Sequence, residues 1–208
     1  MISLEKDGGL WIVTIERPDK ANSLTREMLQ DLADIAEAAT DARALILTGE
    51  GKVFSAGMDL AAARTGLATD PVWERLSGAL AVLPGLSIAA LNGAVAGGAM
   101  GMVLACDLRV AAPGAKVFYP VMKLGFLPQP SDPGRLAALV GPARAKMILM
   151  AGRKIDAATA LAWGLFDEIA QEGLLDRARA LAADTLAAAP AHATAIKALC
   201  GGPDRAQS

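Results

Sequence analysis

Runs of apolar residues divide the chain into short strands and amphipathic helices. Residues 2–6 and 10–16 pattern as two strands joined by Asp7-Gly8-Gly9, a hairpin signal. Residues 17–24 form a loop, and Thr25 stands where it can cap a helix over 26–39. The apolar positions of that helix, Met28, Leu29, Leu32, Ile35, Ala36 and Ala39, recur at helical spacing. A short buried strand is expected at 44–47, ending at Gly49-Glu50-Gly51. A strand beginning at Val53 ends in a glycine turn and enters a short helix near Asp59. Residues 64–71 pattern as a mobile loop, and 72–83 as a helix stopped by Pro84-Gly85. Beyond residue 112 the pattern predicts a strand at 116–119 and an irregular loop at 129–134. Helices follow over 135–140, 143–150 and 157–163, with a last strand or extended piece over 165–170. Two alanine-rich helices over 174–189 and 191–199 precede a frayed tail at 201–208.

The stretch from 87 to 112 organises the rest. An apolar run, Ile88 to Leu91, leads to Asn92-Gly93. The small-residue segment Ala94-Val95-Ala96-Gly97-Gly98-Ala99 then enters a helix that ends at Cys106-Asp107, before a second apolar run. Two adjacent glycines at a helix start each cost about 1 kcal/mol relative to alanine. That cost fits a backbone that must approach something closely. Amides at a helix N-terminus lack internal partners and carry partial positive charge, so they can hold an oxygen that becomes anionic. Gly57-Met58 is a second glycine turn of the same kind, also between a strand and a helix. If the two strands are neighbours, two backbone amides converge on one oxygen. No ribose-binding acid follows a first strand, which excludes a dinucleotide fold.

Composition narrows the class. The chain has 208 residues, 53% hydrophobic and 20% charged, which suits a single globular α/β domain. The net charge of −2 argues against a surface that tracks nucleic-acid phosphates. No apolar run is long and uninterrupted enough to span a membrane. The first residues lack the apolar core of a signal peptide. Cys106 and Cys200 are expected to be reduced thiols in a cytoplasmic protein. No metal constellation is present, and the single histidine, His192, lies far along a C-terminal helix.

Several motifs, in this order, carry a resemblance. They are Arg17-Pro18 with Asn22-Ser23-Leu24, the run Gly49 to Leu60, Asn92-Gly93 with Gly97-Gly98, and Ala105-Cys106-Asp107-Leu108-Arg109. Lys123-Leu124-Gly125-Phe126-Leu127-Pro128, Arg135-Leu136 with Leu139-Val140-Gly141, Ala151-Gly152-Arg153-Lys154-Ile155 and Ala160-Leu161-Ala162-Trp163-Gly164-Leu165 follow. Together they resemble the enoyl-CoA hydratase/isomerase (crotonase) superfamily over nearly the whole chain.

The resemblance implies an α/β spiral of ββα units as one domain over 1–208. Its core runs to about 140, a helical region covers about 141–200, and the C-terminus is shortened relative to the family. It implies an acyl-CoA thioester as ligand, with coenzyme A as part of the substrate rather than a separate cofactor. It also implies a homotrimer or hexamer working in fatty-acid or related acyl-CoA metabolism. By position, the oxyanion hole is formed by the amides of Met58 and Gly98. Ala56, Met58, Asp59 and Leu60 lie along the CoA moiety. Lys20 stands where a base meets CoA phosphates, or is a solvated loop lysine. A side chain at Gly98 is expected to crowd the oxygen site or to force a less favourable backbone.

Departures from the family pattern are as informative. The two glutamates of active hydratases correspond here to Gly101 and Val121, which line the substrate site without moving a proton. A residue at 101 lies three positions after 98 and shares its helix face. Asp107 reads as structural. Some relatives carry an aspartate after Leu-Gly-x-x-Pro; here that place is Gln129. The nearest acid is Asp132, either a helix cap or a catalytic group. Tyr119 is a half-buried strand tyrosine or a donor into the pocket. Two functions follow: an enzyme of the hydratase/isomerase type, or a non-catalytic acyl-CoA binder.

Overall fold

A computed structural model describes residues 1–63 and 66–201, with side chains for all of these except Leu60 and Ala63. The strands are β1 (Ile2–Asp7), β2 (Leu10–Ile15), β3 (Ala44–Gly49), β4 (Val53–Ser55), β5 (Leu86–Leu91), β6 (Ala94–Ala96), β7 (Leu108–Ala111), β8 (Lys116–Phe118), β9 (Ile155–Asp156) and β10 (Glu168–Ile169). The helices are α1 (Arg26–Ala38), α2 (Leu60–Ala63), α3 (Val72–Ala81), α4 (Met100–Ala105), α5 (Val121–Leu124), α6 (Asp132–Val140), α7 (Pro142–Leu149), α8 (Ala157–Trp163), α9 (Leu174–Ala187) and α10 (Pro190–Cys200). Thr25 caps α1 as expected, its side chain accepting from the Met28 amide. Of the loop expected over 64–71, residues 64–65 lie outside the described residues and Leu67–Thr69 form a 3-10 turn. The expected frayed tail lies outside them from 202 onward.

Two sheets share the strands. The larger has the order β1-β2-β3-β5-β7-β10, the smaller β4-β6-β8-β9. Within the first, β1 pairs antiparallel with β2 and the remaining pairs are parallel. Each successive turn of chain sends one strand to each sheet: β3 then β4, β5 then β6, β7 then β8. This is the spiral of ββα units that the family resemblance implies.

The central strands β2, β3, β5 and β7 are buried on both faces, which explains why they are nearly continuous apolar runs, whereas the edge strand β1 is half-buried to exposed. Side chains alternate across the large sheet. Trp11, Val13, Ile15, Leu45, Leu47, Ala89 and Leu91 face the main core with α1, α3 and α4. Leu10, Ile12, Ala44, Ile46, Ile88, Ala90 and Val110 face the other side. There α9 covers them, with Ala178 and Ala182 on successive turns fully buried against the sheet. Small side chains at that seam let the helix approach closely, one use of the chain's alanine bias.

The small sheet positions the site. Its three parallel strands β4, β6 and β8 lie side by side, Ser55 beside Val95 and Val95 beside Val117, with a register shift in β4 between Val53 and Ser55. Their C-terminal ends therefore lie side by side, and so do the segments that leave them: Gly57-Met58, Gly97-Gly98 and Tyr119-Pro120-Val121. Open α/β sheets place ligands at such carboxyl ends.

Candidate functional site

The first wall of the site is held by Asn22. Ala21 and Asn22 both take left-handed backbone conformations, φ 50° and 53°. Asparagine tolerates that conformation better than most residues. Its fully buried side chain donates to the carbonyls of Glu50 (2.9 Å) and Val53 (2.7 Å) and accepts from the Arg17 amide (2.8 Å). Ser55 Oγ donates to the Asn22 carbonyl at 2.7 Å and accepts from the Gly57 amide at 3.1 Å. The Leu24 amide donates to the Gly57 carbonyl and the Asp59 amide to the Leu24 carbonyl. Met58 sits between these bonds with its own N–H unpartnered among the described residues.

Gly57 has φ +87°, and a Cβ there would stand 2.6 Å from the Ala96 carbonyl oxygen. The two glycine turns thus touch, and only glycine permits it. Gly98 is the second residue of a 3-10 turn, Gly97–Ala99, that leads into α4. Its N–H has no acceptor within the turn.

Asp59 is held rather than free. Arg17 Nη1 donates to Oδ2 at 2.8 Å and the Ala61 amide to Oδ1 at 2.9 Å, so the carboxylate caps the start of α2. The hydrogen bond from Arg17 holds its carboxyl below the usual range. Leu60 opens α2, and its side chain lies outside the described residues. Ala56 and Lys20 are exposed at the rim, Lys20 closing a 3-10 turn at Pro18–Lys20. Met58 is half-buried, and Gly101 and Val121 are buried.

The floor differs from the expectation in two ways. A Cβ on Gly98 would meet the six-membered ring of Trp73 at 3.1 Å, so a side chain there points into α3 rather than into the oxygen site. Trp73 is itself buried, its Nε1 donating to the Leu67 carbonyl at 2.8 Å. Asp132, moreover, is not a cap. The α6 helix starts three residues earlier than the pattern predicts, so Asp132 is its first residue. Ser131 stands at the cap position without a capping side-chain bond.

The Asp132 side chain turns inward and is 1% exposed. Oδ2 accepts from the Tyr119 hydroxyl at 2.7 Å, and that hydroxyl accepts from the Gln129 amide at 3.3 Å. Oδ1 has no partner among the described residues and points at Gly101, where a Cβ would lie 2.9 Å away. A carboxylate that reaches the site from α6 thus occupies the space beside residue 101, where the family pattern places a glutamate.

Burial pushes the Asp132 carboxyl up to about 6, with the charge of Glu74 adding and the Tyr119 hydrogen bond and Arg135 opposing. Burial, then Asp132, push Tyr119 well above its ordinary value, so it stays a donor. Glu74 Oε1 accepts from the Ser131 amide (3.1 Å) and hydroxyl (3.0 Å), tying α3 to the start of α6. Trp73 and Glu74 carry no signal in the sequence beyond helical spacing. The side chain of Gln129 donates to the Ala68 carbonyl at 3.1 Å.

The remaining candidates are structural. Asp107 Oδ2 accepts from the Ser87 amide and hydroxyl (2.8 and 2.9 Å) and from Lys197 Nζ (2.6 Å), fastening α10 to the sheet. Cys106 is buried, its thiol pushed up to about 12. A separate cavity of about 950 Å³, lined by Leu104, Arg109, Leu139, His192 and Ile196 among others, lies at the far end of α4 from Gly98. Among the described residues no three His, Cys, Asp or Glu side chains gather as a metal site. No helix among them is long and apolar enough to cross a membrane.

Known proteins share both sequence and fold. A Bacillus subtilis protein named as an enoyl-CoA hydratase/isomerase, YngF, is 37% identical over 196 residues, covering 89% of this chain and 75% of its own. The carnitinyl-CoA dehydratase of Citrobacter koseri is 36% identical, covering 92% of this chain and 77% of its own. The structure of Pseudomonas aeruginosa DspI superposes with a TM-score of 0.87 at 34% identity, covering 96% of this chain and 85% of that one. The family model described as enoyl-CoA hydratase/isomerase matches residues 5–201. The chain therefore belongs to the enoyl-CoA hydratase/isomerase family, and its function at that level is in acyl-CoA chemistry.

Proposed function

We propose that the protein binds an acyl-CoA thioester and stabilises the enolate derived from it. The thioester oxygen is held by the backbone amides of Met58 and Gly98. The observation behind this reading is the contact of the two glycine turns at the ends of adjacent strands β4 and β6. Two fixed N–H groups aimed at one oxygen stabilise negative charge as it develops and need no reorganisation to do so. The exposed rim at Lys20 and Ala56, with Asp59 and Leu60 behind it, is the side along which coenzyme A lies. The thioester supplies coenzyme A itself, so no further cofactor is needed. The setting is fatty-acid or related acyl-CoA metabolism in the cytoplasm, and the assembly is a homotrimer or hexamer.

A second reading is an acyl-CoA binder without turnover. The residues at 101 and 121 favour it, because glycine and valine move no proton. Calorimetry with an acyl-CoA, with CoA and with the free acid tests the common core of both. Tight binding of the thioester with much weaker binding of the other two is expected; equal or absent binding for all three sinks the thioester reading.

A further inference from the structure

We infer that Asp132 is the catalytic base that takes the α-proton of the bound thioester, with Tyr119 as its positioning residue. This rests on the thioester reading above. Three observations on the side chain carry it. Asp132 is almost wholly buried, yet one carboxyl oxygen has no partner among the described residues. Buried polar atoms in folded proteins are nearly always satisfied, and a catalytic role is one explanation of an exception. That oxygen also points at the Gly101 position of α4, one helical turn beyond Gly98. A carboxylate there flanks the carbon next to a carbonyl held at the Gly98 amide. Finally, the other oxygen is fixed by the Tyr119 hydroxyl, itself fixed by the Gln129 amide. The carboxyl is thereby oriented before any ligand arrives.

The step balances within the site. Asp132 Oδ1 accepts the proton from C2 of the acyl group. The electron pair of the broken C–H bond forms the C1–C2 double bond, and the carbonyl π pair moves to the oxygen between the Met58 and Gly98 amides. The protonated Asp132 then returns a proton to C2, or to C4 when the acyl group carries a 3,4 double bond. The second outcome is a double-bond shift and consumes no water. Asp132 is the one proton carrier this assignment uses, and a single carrier fits isomerisation better than hydration, which also needs an activated water; Glu74 is placed at the start of α6, where its Oε1 accepts from Ser131.

The test uses 3-butenoyl-CoA in D2O, with deuterium at C2 and the double-bond shift followed by proton NMR and affinity measured by calorimetry. Wild type is expected to exchange and isomerise. Asp132→Asn is expected to lose both by about 10²–10⁴-fold while still binding. Gly101→Ala, whose Cβ displaces Oδ1, is expected to lose exchange with binding kept. Tyr119→Phe removes the hydrogen bond that favours the ionised form. The pH limb of its exchange rate is expected to move upward, a change that a purely structural tyrosine does not produce. Wild-type rates in Asp132→Asn, or binding without exchange by wild type, overturn the assignment. Absence of binding by wild type fails the thioester reading itself, and the assignment with it.

Discussion

The carboxyl of Asp132 and the bare α-carbon of Gly101 are complementary: a Cβ at 101 would lie 2.9 Å from Oδ1 and 3.5 Å from Oδ2. Contacts below 3.0 Å to Cβ force one partner to move. Glycine at 101 is therefore what allows an acid to arrive from α6. A Gly101→Glu substitution, which places a glutamate at the family position, is expected to dislodge Asp132 rather than add a second acid. Overpacking of this kind costs about 1–3 kcal/mol. A lowered denaturation midpoint, with crotonyl-CoA hydration no higher than wild type, is the expected outcome; a gain of hydration at unchanged stability contradicts it.

Stability should depend on pH through Asp132. Its carboxyl stands at about 6 in the folded protein against an ordinary 3.8, so the folded state binds a proton more tightly than the unfolded one. The groups that face it are Tyr119, Glu74 and Arg135. The penalty is fully present above the folded value and disappears below the unfolded one. Stability from this group thus rises as pH falls from 7 toward 4. The difference is at most about 3 kcal/mol. Asp132→Asn is expected to raise the melting temperature at pH 8 and to lose that advantage near pH 4. Melting curves of both proteins across that range check it, and a constant difference rules it out.

Gly98 tests the wall behind the oxygen site. Its missing Cβ faces the Trp73 ring at 3.1 Å. Gly98→Ala is therefore expected to destabilise by about 1 kcal/mol through crowding of the indole. Trp73→Leu in the same chain should recover part of that loss, a coupling that separated sites do not show. Denaturant midpoints of the two single variants and the double variant measure it; simple additivity contradicts the contact.

Asn22 should matter more than its place in a loop suggests. Asn22→Ala leaves the Glu50 and Val53 carbonyls and the Arg17 amide without their side-chain partner. Each buried group left unsatisfied costs about 1–3 kcal/mol. The left-handed conformation at 22 is also less favourable for alanine. A loss of about 2 kcal/mol or more in denaturant unfolding is expected. Acyl-CoA affinity should fall with it, because the Gly57-Met58 turn loses its support.

The sequence alone determined most of the elements and their order, while the short β6 (Ala94–Ala96), α5 (Val121–Leu124) and β9 (Ile155–Asp156) came only from the structure. Continuous apolar runs such as Leu10–Ile15 and Ala44–Gly49 follow from burial on both sheet faces, and that burial is legible in the pattern. The two glycine turns are also legible, because only close backbone approach or positive φ explains glycine at Gly57. The direction of Asp132 was not legible. Each residue of a helix turns by a third of a turn or nearly so. A helix beginning at Asp132 instead of near Arg135 therefore converts a cap that faces the helix's own amides into a group that faces the core. Local preference favours the cap, since a short acid before Pro133-Gly134 has the composition of a helix start. The tertiary structure decided otherwise. Tyr119, just past the end of β8, supplies the hydrogen bond, Gly101 from α4 supplies the space, and Glu74 from α3 holds Ser131. These partners lie 13, 31 and 57 residues away in sequence, and no local pattern links them.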